Sequence, residues 1–472
     1  MSRVFSPSEL GEAINRSRRL VPEALSALCD TITESTGESP DRSRVEYVSR
    51  FWLMHLCDQV TIESMENTAV VEGGAGIHGS ESTSRDSAVS RRSRLLMGFG
   101  SGDAPIVVVN PYLKSSLIGE ISGAIRLRKL ARWMNIPTHS HSVHPRPRSL
   151  LAVGRDDAST IRRLVALTAP TELVEEHHEW SGWAKANIQP RLKVLYSANA
   201  HQSSLAFRHM AFEQRGIGTK VAIHQHGGGY GIDEVHLGEE HDIAMSDVFY
   251  TFGWHRQEFG DRVRPLPTAM PQRSRRKPAG GLLLMSLPVT KHGYRLQPFL
   301  LPHHIERAVD ETVEFADELT DSLNLRVRSS GSDAFPIERL RSTSARVVED
   351  AGSERGSVAA SRATLVVHNY LGTSWLETLA MNIPTVCFYD PNLYQPREAA
   401  QPFVDALARV GIIHYSGREA ARFVNSLRGD PSAWWKSAEV QEARGAFVAR
   451  YANFSDDWLD AWQDEFESLL AG

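Results

Sequence analysis

With 472 residues, 41% of them hydrophobic and 23% charged, the chain is long enough for two or three domains of roughly 100–200 residues with substantial cores. Lys and Arg number 52 against 57 Asp and Glu, a net charge of -5 that lacks the basic excess of a nucleic-acid binder. No apolar run approaches the ~18 residues of a membrane span, and the polar stretch Met1–Leu20 lacks a secretory core, which leaves peripheral contact as the membrane association to consider.

Cys29, Cys57 and Cys387 are too sparse for a disulfide framework or a zinc site and fit a reducing cytoplasm. Only eight of the 52 basic residues are lysines, a bias we ascribe to coding composition.

In chain order, residues 1–104 read as a helical segment. Ser6-Pro7-Ser8-Glu9 offers a helix start, and apolar residues recur at helical spacing to Leu28 and again over Val45–Ile62. Within this segment, 64–96 is expected to be a mobile Gly/Ser/Arg loop. Its GGAGIHG piece has neither a preceding strand nor the Lys of a phosphate loop.

Alternation of strands and helices begins at Pro105. Ile106–Asn110 is a short, continuously apolar strand, Ser115–Trp133 reads as a helix, and Leu150–Val153 as a second strand. Leu192–Ser197, Lys220–His224 and Val248–Phe252 follow as strands, with a helix over Ser203–Arg215. Pro265–Gly280 carries four prolines and a basic cluster, and the linker is placed at 271–280. Strands are then expected at Leu282–Ser286, Leu325–Ser329, Ala345–Val348, Thr364–His368 and Thr385–Tyr389. Helices are expected at His303–Leu323 and Thr373–Met381, and a Trp-rich helical C-terminus completes the chain. The fold class is therefore α/β: two Rossmann-like domains, 105–270 and 281–450, facing a cleft, with a C-terminal helix over 451–472.

Two segments carry chemistry. Lys220–His224 runs into His224-Gln225-His226 and then Gly227-Gly228-Gly229-Tyr230-Gly231, where glycines let amides approach an anion and His226 adds a group that titrates near neutrality. The acidic stretch that follows, with Asp233 and Glu239, offers a general base or a solvated loop, and the pattern leaves both open. His236, Glu240 and His241 raise the question of a metal, but two histidines five apart do not share a helical face as zinc ligands would. No metal and no cofactor is expected. His139, His141 and His144 sit in a Pro-rich loop and are given no role.

The second segment is Thr364–Pro391. After His368-Asn369 a loop brings Gly372, Thr373 and Ser374 to a helix start, where hydroxyls and free amides suit a phosphate. Glu377, one turn on, suits the two hydroxyls of a ribose. A capping box formed by Thr373 or Ser374 with Glu377 would need no ligand, and the local pattern does not choose between these readings.

The T-S-x-x-E-T-L-A-x-x-x-P-T run resembles the nucleotide-binding strand–loop–helix of two-domain, GT-B-type glycosyltransferases and related epimerases. HQHGGGYG, the FGW of Phe252–Trp254, LGTSWLETLAMNIPTV and the WW-x(5)-Q-x(2)-R of Trp434–Arg444 together resemble a bacterial family of surface-carbohydrate transferases, encoded with O-antigen and nonulosonic-acid pathways. The likeness runs from about Phe51 to about Tyr451.

It implies that Thr373 and Ser374 bind the donor phosphate and Glu377 its ribose or base, within a segment that includes His368 and Gly372. His226, with Gly227, Gly228 and Gly229, would face the donor across the cleft, and Arg328 would neutralise a phosphate. The base would be His226, with Asp233 or Glu239 behind it. The implied partners are a nucleotide-sugar donor, CMP-linked first with UDP or GDP as alternatives, and a glycan, lipid-linked or protein acceptor. The sugar would be of the nonulosonic or Kdo type. The same architecture also serves epimerases, polyol-phosphate transferases and non-catalytic nucleotide-sugar-binding partners.

Overall fold

The computed structural model describes residues 7–66, 104–110, 130–134, 136, 156–271, 280–289, 295–320, 324–328, 335–350 and 354–471. Two long helices open the chain, α1 (Pro7–Thr36) and α2 (Arg42–Glu66). Helix α2 runs through Glu66, so the start of the expected loop is helical; the rest of that loop, with GGAGIHG, lies outside the described residues.

The first sheet-bearing half contains β1 (Ile106–Val109), β2 (Ala131–Trp133), α3 (Asp157–Thr168), α4 (His177–Ala186), β3 (Val194–Ser197), α5 (Ala200–Ser203), α6 (Leu205–Gly216), β4 (Lys220–His224), α7 (Leu237–Met245), β5 (Val248–Thr251) and β6 (Val263–Pro265). A short strand β7 (Thr268–Ala269) follows.

The second half comprises β8 (Leu282–Met285), α8 (Pro302–Glu318), β9 (Asn324–Arg328), α9 (Glu338–Arg341), β10 (Arg346–Asp350), α10 (Gly356–Arg362), β11 (Leu365–His368), α11 (Thr373–Ala380), β12 (Thr385–Phe388), α12 (Gln401–Arg409), β13 (Ile413–His414) and α13 (Gly417–Ser426). Helices α14 (Ser432–Trp435) and α15 (Ala438–Tyr451), strand β14 (Phe454–Ser455) and helix α16 (Trp458–Ala471) complete it.

Each half carries a six-stranded parallel sheet, ordered β2-β1-β3-β4-β5-β6 and β10-β9-β8-β11-β12-β13. Strands β1, β3, β8, β11 and β12 are buried at every position, which explains their unbroken apolar runs. The expected two-domain α/β architecture is present.

Three local expectations are corrected. The described end of the helix expected over 115–133 is strand β2, hydrogen-bonded in parallel to β1. The span Ser203–Arg215 divides into α5 and α6, with Ser204 capping α6 by accepting the amide of Phe207. The proline-rich start of the linker contributes β7, which pairs with β14 through Thr268 and Phe454. Leu150–Val153, His139, His141, His144 and residues 272–279 lie outside the described residues.

One apolar cluster crosses between the halves. Phe249, Phe252 and Trp254 of the first half meet Leu371, Trp375 and Leu376 of the second, and Phe447 and Tyr451 of α15 belong to the same core. Helix α16 returns to the first sheet, burying Trp458, Trp462 and Phe466 against Ile106, Val108, Tyr196 and Tyr250. Helices α1 and α2 pack with α3 around Leu28, Leu56, Cys57 and Val165.

The WW-x(5)-Q-x(2)-R motif secures the far end of α11. Trp435 Nε1 donates to Asn382 Oδ1 at 2.8 Å, and Arg444 donates to the Leu379 carbonyl at 2.9 Å. The first bond ties Trp435 to the residue just past the α11 C-terminus, and the second adds a donor to a carbonyl of its last turn.

Candidate functional site

In parallel sheets, function gathers beyond the carboxyl ends of the strands. Here β4 of one sheet and β11 of the other deliver their loops to the same place. Gly228 donates its amide to Thr373 Oγ1 at 2.8 Å. A Cβ on Gly228 would lie 2.5 Å from the backbone carbon of Gly372, so only glycine permits this approach. Gly229 and Gly231 adopt left-handed φ values of +85° and +71°, and a Cβ on Gly231 would strike the Trp254 ring.

Gln225 braces the turn from beneath. Its Oε1 accepts from the Phe252 amide at 2.9 Å and from Trp254 Nε1 at 2.8 Å, while its Nε2 donates to the Gly227 carbonyl. The FGW motif thus holds the glycine motif in shape. His236 completes the brace: Nδ1 accepts the Glu239 amide, capping α7, and Nε2 donates to the Gly228 carbonyl at 3.2 Å.

His226 stands at the mouth of this turn, partly exposed. Burial lowers its pKa to about 4, with Asp242 opposing the shift, so its imidazole is neutral near pH 7. Behind it lies a buried network. His201 Nε2 donates to Asp242 Oδ1 at 2.7 Å, Gln202 donates to the same oxygen at 2.8 Å, and Tyr230 Oη donates to Oδ2 at 2.8 Å. Burial would raise the Asp242 pKa, but His201, by charge and by hydrogen bond, together with His241 and His226 outweighs it and holds the carboxyl below the usual range.

Donor atoms of His201, His226 and Asp242 lie within 4.8 Å of one another, the spacing of a potential metal site. Asp242 already accepts three hydrogen bonds, while His201 Nδ1 is buried with no hydrogen-bond partner. The metal question posed by His236, Glu240 and His241 dissolves in three directions. His236 bonds the turn, Glu240 pairs with Arg18 at 2.9 Å, and His241 stacks on His201.

The stretch read as an acidic loop is mostly helix α7, capped by His236; Asp233, Glu239 and Asp242 are buried, while Glu234 and Glu240 are exposed. Glu239 is 1% exposed, accepts the Gly231 amide at 2.7 Å, and pairs with Arg256 at 2.7 Å and Arg397 at 3.0 Å. Asp233 is 4% exposed and accepts from Tyr394 Oη at 3.0 Å; burial raises its pKa well above the usual carboxylate range. Both residues sit as struts between the halves, where Arg397 also donates its amide to the Ile232 carbonyl, rather than as open bases.

On the other side, Gly372 is the N-cap of α11 and Thr373 its first residue, with no side-chain capping bond. The capping box that the local pattern allowed as one of two readings is therefore not formed. Thr373 spends its hydroxyl on Gly228 instead, while Ser374 and Glu377 are partly exposed on the first turn. His368 is fully buried, 3.2 Å from Thr378 Oγ1, with burial lowering its pKa to about 3. It supports the strand end and does not reach the cleft. Arg328 ends β9, opposite Met285 of β8; its side chain lies outside the described residues.

A concavity opens at the carboxyl ends of β11 and β12, against the start of α8. Its walls include Phe299, His304, Arg307, Glu311, Asp390 and Tyr394. Tyr370 lies between it and α11, its ring centroid 6.1 Å from that of Phe299 and its ring against Gly372. Neither this pocket nor the His201–Asp242 pair has a contiguous motif. Each is assembled from several elements, so spacing along the chain does not reveal it.

The model of the LIC12162 family transferases matches residues 78–466, and the chain belongs to that family. No curated protein matches it. Solved structures with a remote likeness include MurG of Acinetobacter baumannii, at 10% identity and TM-score 0.39, covering 77% of this chain and 99% of that one. Another is Phytolacca americana UGT2 complexed with UDP-2-fluoro-glucose and pterostilbene, at 11% identity and TM-score 0.38, covering 77% and 100%. A third is the spinosyn rhamnosyltransferase SpnG complexed with spinosyn aglycone, at 11% identity and TM-score 0.29, covering 73% and 96%.

Proposed function

We propose that this transferase moves a sugar from a nucleotide-activated donor to an acceptor hydroxyl, in the cleft where the β4 turn meets α11. The observation that carries the reading is the meeting of Gly228 and Thr373. It sets a neutral histidine at the mouth of one sheet opposite an uncapped helix N-terminus of the other.

In this reading the acceptor oxygen attacks the anomeric carbon while the bond to the donor phosphate breaks. The nucleotide leaves with the electron pair, and His226 takes the acceptor proton. Developing charge on the phosphate falls to the first-turn amides of α11 and the Ser374 hydroxyl, without a metal ion. Glu377 takes the ribose or base.

Asp233 and Glu239 hold the two halves in register, with the linker at 271–280 between domains 105–270 and 281–450. On the resemblance, the donor is CMP-linked with UDP or GDP as alternatives, and the acceptor is a surface-glycan precursor in the cytoplasm. The sugar implied by the same resemblance is a nonulosonic or Kdo-type acid.

Thermal stability against CMP, CDP, UDP and GDP tests donor binding. A nucleotide at ~100 times its dissociation constant should stabilise the fold by about 2.7 kcal/mol, and Ser374→Ala should weaken that response. A flat panel, or equal response from the variant, would remove the donor site from α11.

A further inference from the structure

Asp242 is a carboxylate sealed from solvent, and among the described residues no Lys or Arg lies within ion-pair distance of it. Glu239 and Asp58, buried as deeply, are each matched by arginine, the first by Arg256 and Arg397 and the second by Arg18. At Asp242, hydrogen-bond donors on His201, Gln202 and Tyr230 stand in for a cation, and the carboxyl stays ionised near neutrality. A buried anion without a counter-charge is costly, so the position calls for a positive charge that arrives during the working cycle.

Three histidines lie near it, and two of them cannot supply that charge. His201 donates from Nε2 to Asp242 Oδ1, and its Nδ1 is buried with no hydrogen-bond partner, so a second proton there would have nothing to bond. His241 is fully buried, neither ring nitrogen has a hydrogen-bond partner, and burial lowers its pKa to about 3. His226 is the third. One of its ring nitrogens lies within 4.8 Å of both an Asp242 oxygen and a His201 nitrogen, and its side chain is the partly exposed one, so a proton can reach it from the cleft. Burial disfavours the charged ring, as do His201 and His236, while Asp242 on α7 and the Ala198 backbone after β3 favour it.

We propose that Asp242 is a positioning residue for the transfer: its carboxylate offsets the positive charge that His226 acquires on taking the acceptor proton. The inference rests on the base assignment above. During attack the acceptor O–H bond breaks, its electron pair forms the bond to the anomeric carbon, and the proton goes to a His226 nitrogen. The imidazolium then stands beside an anion whose orientation His201, Gln202 and Tyr230 already fix, so nothing has to reorganise as the charge forms. Once the nucleotide has left, the proton passes to water at the mouth and the neutral ring is restored.

A double-mutant cycle on transfer rate, with the donor selected by the nucleotide panel, tests it. Asp242→Asn keeps the side chain's shape and removes its charge. Checked for a native melting transition, it should leave the nucleotide dissociation constant within about twofold of wild type and slow transfer by about tenfold or more. In a His226→Ala background the same substitution should cost nothing further, because Asp242 acts through that ring. A merely structural role would slow both backgrounds alike, and that result would overturn the inference while leaving the base assignment intact. Wild-type turnover by His226→Ala, or no transfer by wild type from any donor of the panel, would instead overturn the reading it rests on, and the inference with it. A second measurement needs no variant at position 242: wild type dialysed against EDTA should hold no stoichiometric divalent cation and keep its turnover. A cation retained by His201, His226 and Asp242, with turnover lost on its removal, would overturn the inference, because the metal would then be the counter-charge.

Discussion

The amide of Gly228 and the hydroxyl of Thr373, 145 residues apart in sequence, form a 2.8 Å hydrogen bond between the two sheet-bearing halves. A Cβ at position 228 would stand 2.5 Å from Gly372 carbon and 2.6 Å from the Thr373 amide nitrogen, whereas one at 227 would make ordinary contacts with Thr373 Oγ1 at 3.5 Å and Tyr230 Cε2 at 3.9 Å. Gly228→Ala should therefore force the halves apart, costing ~1–3 kcal/mol as overpacking does, and weaken nucleotide binding. Gly227→Ala should be far milder. Thermal melts and nucleotide titrations of the two variants check this; equal behaviour would mean the contact does not set the cleft.

Asp242 accepts from His201, Gln202 and Tyr230 with no exposure to solvent. Asp242→Ala leaves two buried donors, on His201 and Tyr230, and the half-buried Gln202 amide unmatched, and should lower stability by about 3 kcal/mol or more. Asp242→Asn keeps the shape and should lose less. Denaturant midpoints distinguish the two, and near-equal midpoints for wild type and Asp242→Ala would contradict the network.

Gln225 Oε1 is the acceptor for both the Phe252 amide and the Trp254 indole. Gln225→Leu preserves much of the volume and removes that acceptor, so ~1–3 kcal/mol per orphaned donor should be lost. The glycine turn should also open to proteolysis at lower protease concentration than in wild type. Unchanged melting and cleavage would show that FGW does not hold the turn.

Buried neutral histidines fix the response to acid. His224, His241 and His368 have pKa values lowered to about 3 by burial, and His177 to about 4. In the unfolded chain these groups titrate near ~6.5, so between the two values the unfolded state binds more protons. Stability should be complete above pH ~6.5 and fall as pH drops toward about 4. Each histidine adds a slope of up to about 1.4 kcal/mol per pH unit. Denaturant midpoints measured from pH 7.5 to 4.5 read this directly; a flat or rising midpoint on acidification would contradict it.

Much of this was legible in the chain because buried parallel strands leave an unbroken apolar signature: Lys220–His224 matches β4 residue for residue. The strand at Ala131–Trp133 was hidden because three residues cannot outweigh the helical period ahead of them. Helix α7 was missed because its cap is an imidazole, outside the Ser, Thr, Asp and Asn that mark helix starts. Carboxylates at 233 and 239 suggested open bases because sequence records charge but not the Tyr394, Arg256 and Arg397 that cover them. His201 and Asp242 are 41 positions apart on different helices, a pairing that only the fold creates.

The most direct test of the central claim follows the donor that stabilises the protein, by mass spectrometry, in the presence of surface-glycan precursors, for wild type and His226→Ala. The account predicts that wild type releases nucleotide and adds one sugar mass to an acceptor. His226→Ala should keep its nucleotide affinity while losing ~100-fold or more of the turnover. Wild-type turnover by His226→Ala would remove the proposed base. Isomerised donor with no gain in acceptor mass would contradict sugar transfer itself.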